Sequence, residues 1–211
     1  LGCIAGFFFL LLVGGEGAAP GGMIVLDPLT KMAKLCVLAV AAFAMLLAAD
    51  ADFTTHVGEY FALLLASTVG MTLMVSSENL LMIFVALELA SLSLYILVAF
   101  DKRSRQSAEA ALKYFLFGGM SAAFMLFGLS LMYGLSGSLE LHVVAEGLAG
   151  RDNDSLTLAA MVMVLIGFGF KVAVAPFHLW APDAYQGAPT PSAAFVATGS
   201  KVAAFFLMAK F

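Results

Sequence analysis

Residues 167–180 read GFGFKVAVAPFHLW, an apolar run with Lys171 inside it and helix breakers on either side. Gly167 and Gly169 let other backbone approach closely. Pro176 lacks an amide proton and clashes with the turn before it. With the apolar residues that precede it, the segment Leu156–Trp180 is long enough to cross a bilayer, and these three residues interrupt it. Loosened backbone at membrane depth is tolerated where it lines protein or water, so broken helices are a recurring way to build ion sites. A charge there costs about 2.5–3.5 kcal/mol on insertion scales. Lys171 therefore reads as a functional group, with a lysine snorkelling to the interface as the plain alternative. His178 lies seven residues further on and shares the face of Lys171 if the helix continues through Pro176.

The rest of the chain supports a membrane setting. Of 211 residues, 63% are hydrophobic and 11% charged, and mean hydropathy is +1.03. A soluble domain carries about 25% charged residues, so this chain has too few to cover a water-facing surface. That excludes a soluble enzyme, a nucleic-acid-binding protein and a disordered chain. The balance is 10 basic against 14 acidic residues. The basic cluster Lys102, Arg103 and Arg105 reads as an anchor at a membrane edge; by the positive-inside rule it votes for the cytoplasmic side, while Lys31, Lys34 and Arg151 fall on the opposite side and vote the other way. Cys3 and Cys36 each lie in apolar sequence and read as small buried hydrophobes.

Apolar runs long enough to span, or nearly so, are Pro28–Ala49, Tyr60–Ser76, Leu80–Phe100, Ala108–Tyr133, Leu156–Trp180 and Ser192–Phe211. Leu1–Val13 precedes them as the end of a helix, and Gly14–Gly22 is a Gly/Pro-rich turn. The continuous runs predict helices, not strands, and an all-α polytopic transmembrane bundle. Gly134–Ser155 is the longest polar connection, in which Leu139–Val144 could form a small hairpin. Ala181–Pro191, with three prolines, reads as a loop. The chain begins and stops inside apolar runs, which reads as an internal piece of a longer protein.

Three further ionisable residues join Lys171. Glu88 sits in ALELASL, with Ser91 and Tyr95 three and seven residues on and hence on its helical face. It is either a proton carrier or a hydrogen-bonded packing carboxyl. Lys201 lies in ATGSKVAAF, near the centre of the last span, while Lys210 falls towards the far edge and could snorkel. Lys113 follows Glu109 by four residues, the spacing of an ordinary surface bridge; the alternative is that it dips inward and faces Glu88. A lysine and a glutamate ~6 Å apart at an effective dielectric of ~20 interact by about 2.8 kcal/mol. Making or breaking such a pair switches a lysine between holding and releasing its proton. A row of such groups joined by water is a proton relay. There is no P-loop, no intact GxGxxG, no ferredoxin-like cysteine set and no pair of buried histidines for haem.

Three stretches together carry a family resemblance: LELASLSLYILVAF, SAEAALKYFLFGGMSAAFMLFG, and GFGFKVAVAPFHLWAPDAYQGAPTPSAAFVATGSKVAAF. They resemble the antiporter-like membrane subunits of respiratory complex I, the proton-pumping NADH:quinone oxidoreductase, with subunit N (mitochondrial subunit 2) as the nearest branch. The resemblance covers about Leu26–Phe211. It implies an antiporter-like fold of two inverted five-helix repeats, each with a broken helix. Residues 1–49 would be leading helices and 57–211 the first repeat. It places the family's buried glutamate on Glu88 and its lysines on Lys113, Lys171 and Lys201, with His178 matching a histidine near the break. It implies a subunit without its own cofactor, flavin and iron–sulfur clusters being carried by other subunits. The implied partners are other membrane-arm subunits and lipid, and the implied location is an energy-transducing membrane, bacterial cytoplasmic or mitochondrial inner. A multisubunit Na+/H+ antiporter and a structural subunit with static ion pairs are the competing readings.

Overall fold

In a computed structural model, residues 2, 6, 9, 17–19, 23–49, 52–151 and 154–211 are described. Most of the predicted leading segment Leu1–Val13, together with Cys3, lies outside them. The described helices are α1 (Pro28–Ala49), α2 (Val57–Ser76), α3 (Leu80–Val98), α4 (Arg105–Ser136), α5 (Leu141–Leu148), α6 (Ser155–Val172), α7 (Trp180–Gly187) and α8 (Thr190–Met208). All but α5 and α7 are long and apolar enough to cross a membrane.

The starts follow from local chemistry. The Asp27 carboxylate accepts the Thr30 amide at 2.6 Å, and Pro28 occupies the first position of α1, where a missing N–H costs nothing. Asn79 and Ser104 cap α3 and α4 by accepting the amides of Met82 and Ser107. Asp154 does the same for α6 through Leu156. These caps leave short connections, and the spans pack as neighbours. The outward faces stay apolar: Leu81, Val85, Leu92 and Ile96 on α3 are all about half exposed.

Small residues set the closest crossings. A methyl added to Gly70 of α2 would meet the Ala90 amide nitrogen of α3 at 2.6 Å. One added to Gly128 of α4 would meet the Ala160 carbonyl of α6 at 2.7 Å. Bilayer helices gain little from apolar burial against one another, so backbone proximity of this kind is what packs them. Helix α8 runs against α1 and α2, with the Tyr60 and Ser192 hydroxyls 3.0 Å apart.

Three sequence expectations are corrected. The hairpin expected at Leu139–Val144 is instead helix α5, whose Val144 and Leu148 are buried. Leu141, Val144 and Leu148 follow a helical spacing, and that one-sided burial outweighs local alternation. The nearby extended backbone forms a single bridge between Asn79 and Glu140, which ties the start of α3 to the start of α5. The loop expected at Ala181–Pro191 contains α7: Pro182 falls in its first turn, where no backbone donor is needed. The span expected to run from Leu156 to Trp180 ends at Val172. A two-residue antiparallel ladder, Gly17–Ala18 with Val25–Leu26, precedes α1.

Candidate functional site

Helix α6 ends where its sequence stops supporting it. Ala173 takes a left-handed conformation (φ 60°, ψ 46°), and its amide and that of Val174 fold back on the carbonyls of the last turn. Residues 173–179 form turns, including a cis Ala175–Pro176 bond, before α7 begins. Lys171, next to last in α6, thereby sits at the break with only 7% of its surface exposed.

Its ammonium donates to the Ser91 hydroxyl at 2.6 Å, and Ser91 donates in turn to the Leu87 carbonyl at 2.5 Å. Glu88 stands one turn before Ser91 on α3. It is half-buried, and its Oε1 is enclosed with no hydrogen-bond partner. Glu88 and Lys171 act on one another electrostatically, yet among the described residues no ion pair within 4 Å joins them. A buried carboxylate oxygen left unpaired costs more than the average hydrogen bond returns. The arrangement is thus a lysine held by a neutral hydroxyl with its carboxylate nearby but unbonded.

Aromatic rings wall this site. Tyr95 meets Tyr114 edge-on at 4.7 Å between centroids. Tyr114 stacks on Trp180 at 4.3 Å and 12°. The Trp180 indole donates to the carbonyl of Phe170, the residue before Lys171, at 3.1 Å. The first helix after the break is therefore locked onto α4 and the end of α6.

The other expected site residues lie elsewhere. Lys113 does not turn towards Glu88. It is 39% exposed and bridges Glu109 at 2.7 Å and Asp183 of α7 at 3.0 Å, beside an open pocket of about 150 Å³ that also includes Gln106 and Gln186. The i,i+4 spacing anticipated Glu109; nothing local announces Asp183, which arrives because α7 packs on the start of α4. His178 is exposed among the turns. The heptad that would align it with Lys171 fails because the helix stops in between. Lys201 is half-buried on α8, with its ammonium 5.2 Å from the centroid of the Tyr185 ring.

Lys210 does not snorkel freely. Its ammonium is enclosed, 3.9 Å from a Glu78 oxygen. Burial holds it below the usual lysine range, while Asp27 and Glu78 pull the other way. Cys36 is a free, half-buried thiol. Among the described residues no group of three or more His, Cys, Asp or Glu is placed to hold a metal ion.

This geometry has relatives. The chain is 57% identical over 198 residues to NADH-quinone oxidoreductase subunit N 2 of Acidobacterium capsulatum, covering 90% of this chain and 40% of that protein. It is 41% identical to subunit N of Desulfitobacterium hafniense, covering 100% of this chain and 43% of that one. A chain of respiratory complex I from Thermus thermophilus superposes with a TM-score of 0.85 at 38% identity, over 99% of this chain and 45% of that chain. A chain of the membrane-bound sulfane sulfur reductase, an archaeal respiratory membrane complex, superposes at 0.82 with 27% identity, covering 97% and 44%. The chain thus spans less than half the length of these relatives. The profile of the NADH:quinone oxidoreductase/Mrp antiporter transmembrane family matches residues 77–211, which carry Glu88, Lys113, Lys171 and Lys201. The chain belongs to that family and, within it, is similar to subunit N of NADH-quinone oxidoreductase.

Proposed function

We propose that this chain is part of a membrane-arm subunit of a complex I-type NADH:quinone oxidoreductase, and that it relays protons through buried charged groups. Helices α2, α3, α4, the broken pair α6–α7, and α8 would make up the first five-helix inverted repeat. Quinone reduction elsewhere in the complex would drive the relay, with flavin and iron–sulfur clusters in other subunits. The apolar outer faces would meet lipid and neighbouring antiporter-like subunits in an energy-transducing membrane.

The observation that carries this reading is Lys171: 7% exposed at a helix break, bonded to a hydroxyl and, among the described residues, without a carboxylate within 4 Å. Its proton state is then open to a change at Glu88. A proton shift at Glu88 would alter Lys171, which would pass a proton through water towards Lys201. Lys113, in its water-facing setting with Glu109 and Asp183, would serve the entry side. His178, exposed beside the break, would exchange protons with solvent.

The test is Lys171→Met in the full-length subunit within its assembled complex. Positioned proton-transfer groups contribute about 10²–10⁴-fold, so NADH-driven proton translocation is expected to fall at least about tenfold. Co-purification of the mutant subunit with the subunits that oxidise NADH reports assembly. Full coupled translocation in an assembled mutant would remove Lys171 from the path. The joint variant Glu88→Gln/Lys171→Met separates a relay from a static pair. Static buried pairs tolerate joint replacement, and a relay stays inactive. The family also embraces Mrp antiporters; co-purification with Na+/H+ exchange and without NADH oxidation would favour that second reading.

A further inference from the structure

Lys201 lacks what the other two lysines of the proposed relay have. Lys171 is held by Ser91 and Lys113 by two carboxylates. Among the described residues no carboxylate lies within 4 Å of the Lys201 ammonium. What faces it is the ring of Tyr185, 5.2 Å away at the centroid. That is inside the ~6 Å over which an aromatic face attracts a cation.

The ring is not placed by its own hydroxyl, which is buried and makes no hydrogen bond. It is placed by packing. Trp180 meets Tyr185 edge-on at 5.9 Å. Trp180 is fixed in turn by its stack on Tyr114 and its hydrogen bond to the Phe170 carbonyl. A run of rigid contacts therefore leads from the residue next to Lys171 to the ring beneath Lys201.

We propose that Tyr185 is a positioning residue for Lys201, its ring face holding the charged ammonium against α7 at the receiving end of the relay. The inference rests on the relay reading above. An aromatic face attracts an ammonium and not a neutral amine. The side chain is thus retained at α7 while it carries a proton and freed when the proton leaves. Tyr185 supplies no proton itself.

The experiment replaces Tyr185 in the full-length subunit of the assembled complex with phenylalanine bearing none to four ring fluorines. The series drains charge from the ring face with little change of shape, so folding is not at issue. Unfluorinated Tyr185→Phe should match the native protein. Coupled proton translocation should then decline stepwise, by about two- to tenfold across the series, and Tyr185→Leu should fall at least as far. A flat series overturns the proposal. Lys201→Met separates the two levels: loss of translocation there with a flat fluorine series refutes the role of Tyr185 alone, whereas full translocation in Lys201→Met refutes both.

Discussion

Lys171 is buried at the broken end of α6, 7% exposed, its ammonium 2.6 Å from a neutral hydroxyl. The Lys113 side chain is 39% exposed, its ammonium 2.7 and 3.0 Å from two carboxylates. Both lysines stand on long apolar helices, and spacing pairs Lys113 with Glu109 without showing how deep either lysine sits. Their surroundings do. At the Lys113 mouth the charge is matched by two neighbouring carboxylates at a partly exposed site. At the break no described residue gives the charge a directly bonded counter-ion, and the nearby carboxylate has an enclosed oxygen without a hydrogen bond. A group in the second setting can change its proton state for a modest input. The turns after α6 bring α7 back onto α4, where Trp180 stacks on Tyr114 and Asp183 reaches Lys113.

The widest separation between the regions is expected from Ser91→Ala. It removes the acceptor for the Lys171 ammonium at a buried position. An unmet buried donor costs about 1–3 kcal/mol, so coupled translocation should drop about tenfold. Ser93→Ala is the matched control, because that hydroxyl bonds only the Leu89 carbonyl of its own helix. Equal activity in the two variants would mean that the Ser91 contact does not organise the site.

A smaller effect tests the wall around it. A methyl on Gly118 of α4 would fall 2.0 Å from the Tyr95 hydroxyl, whereas one on adjacent Gly119 meets nothing within 4 Å. Tyr95 is 7% exposed and pressed against Tyr114, so it cannot yield without disturbing the stack. Gly118→Ala should cost about 1–3 kcal/mol, a fall in Tm of about 2–10 °C. Gly119→Ala should be neutral or slightly stabilising, as alanine is the better helix former. Thermal unfolding of the detergent-purified complex measures both. Similar Tm values would show that the wall is looser than its packing implies.

How far sequence reaches is visible in the same residues. Continuous apolar runs gave the six spans, since a bilayer imposes length and polarity on each one independently of its neighbours. The break after Lys171 was legible in Gly167, Gly169 and Pro176. The consequences of the break were not. His178 was aligned with Lys171 by a helical repeat that the left-handed Ala173 cancels, and α7 was hidden by Pro182 because a proline is harmless only in a first turn. Ser91 was legible as a polar neighbour of Glu88. That it binds Lys171 was not, nor were the contacts of Asp183 with Lys113 or of Tyr185 with Lys201, because these pairs lie 16 to 80 residues apart and exist only through tertiary packing.

The smallest effect is expected at the mouth. Asp183→Asn leaves Glu109 in place at 2.7 Å, so Lys113 keeps one partner and its ammonium stays hydrated. Exposed pairs contribute little, because water screens them. Coupled translocation should therefore change less than about twofold. Whatever difference exists should shrink further at ~1 M salt, where the screening length is only about 3 Å. Ser91→Ala should keep its full loss at the same salt, because no ions enter the enclosed site to screen it. Salt-dependence thus separates the regions even if their absolute effects overlap. A large loss in Asp183→Asn that survives high salt would place Asp183 in the proton path and dissolve the distinction between mouth and break.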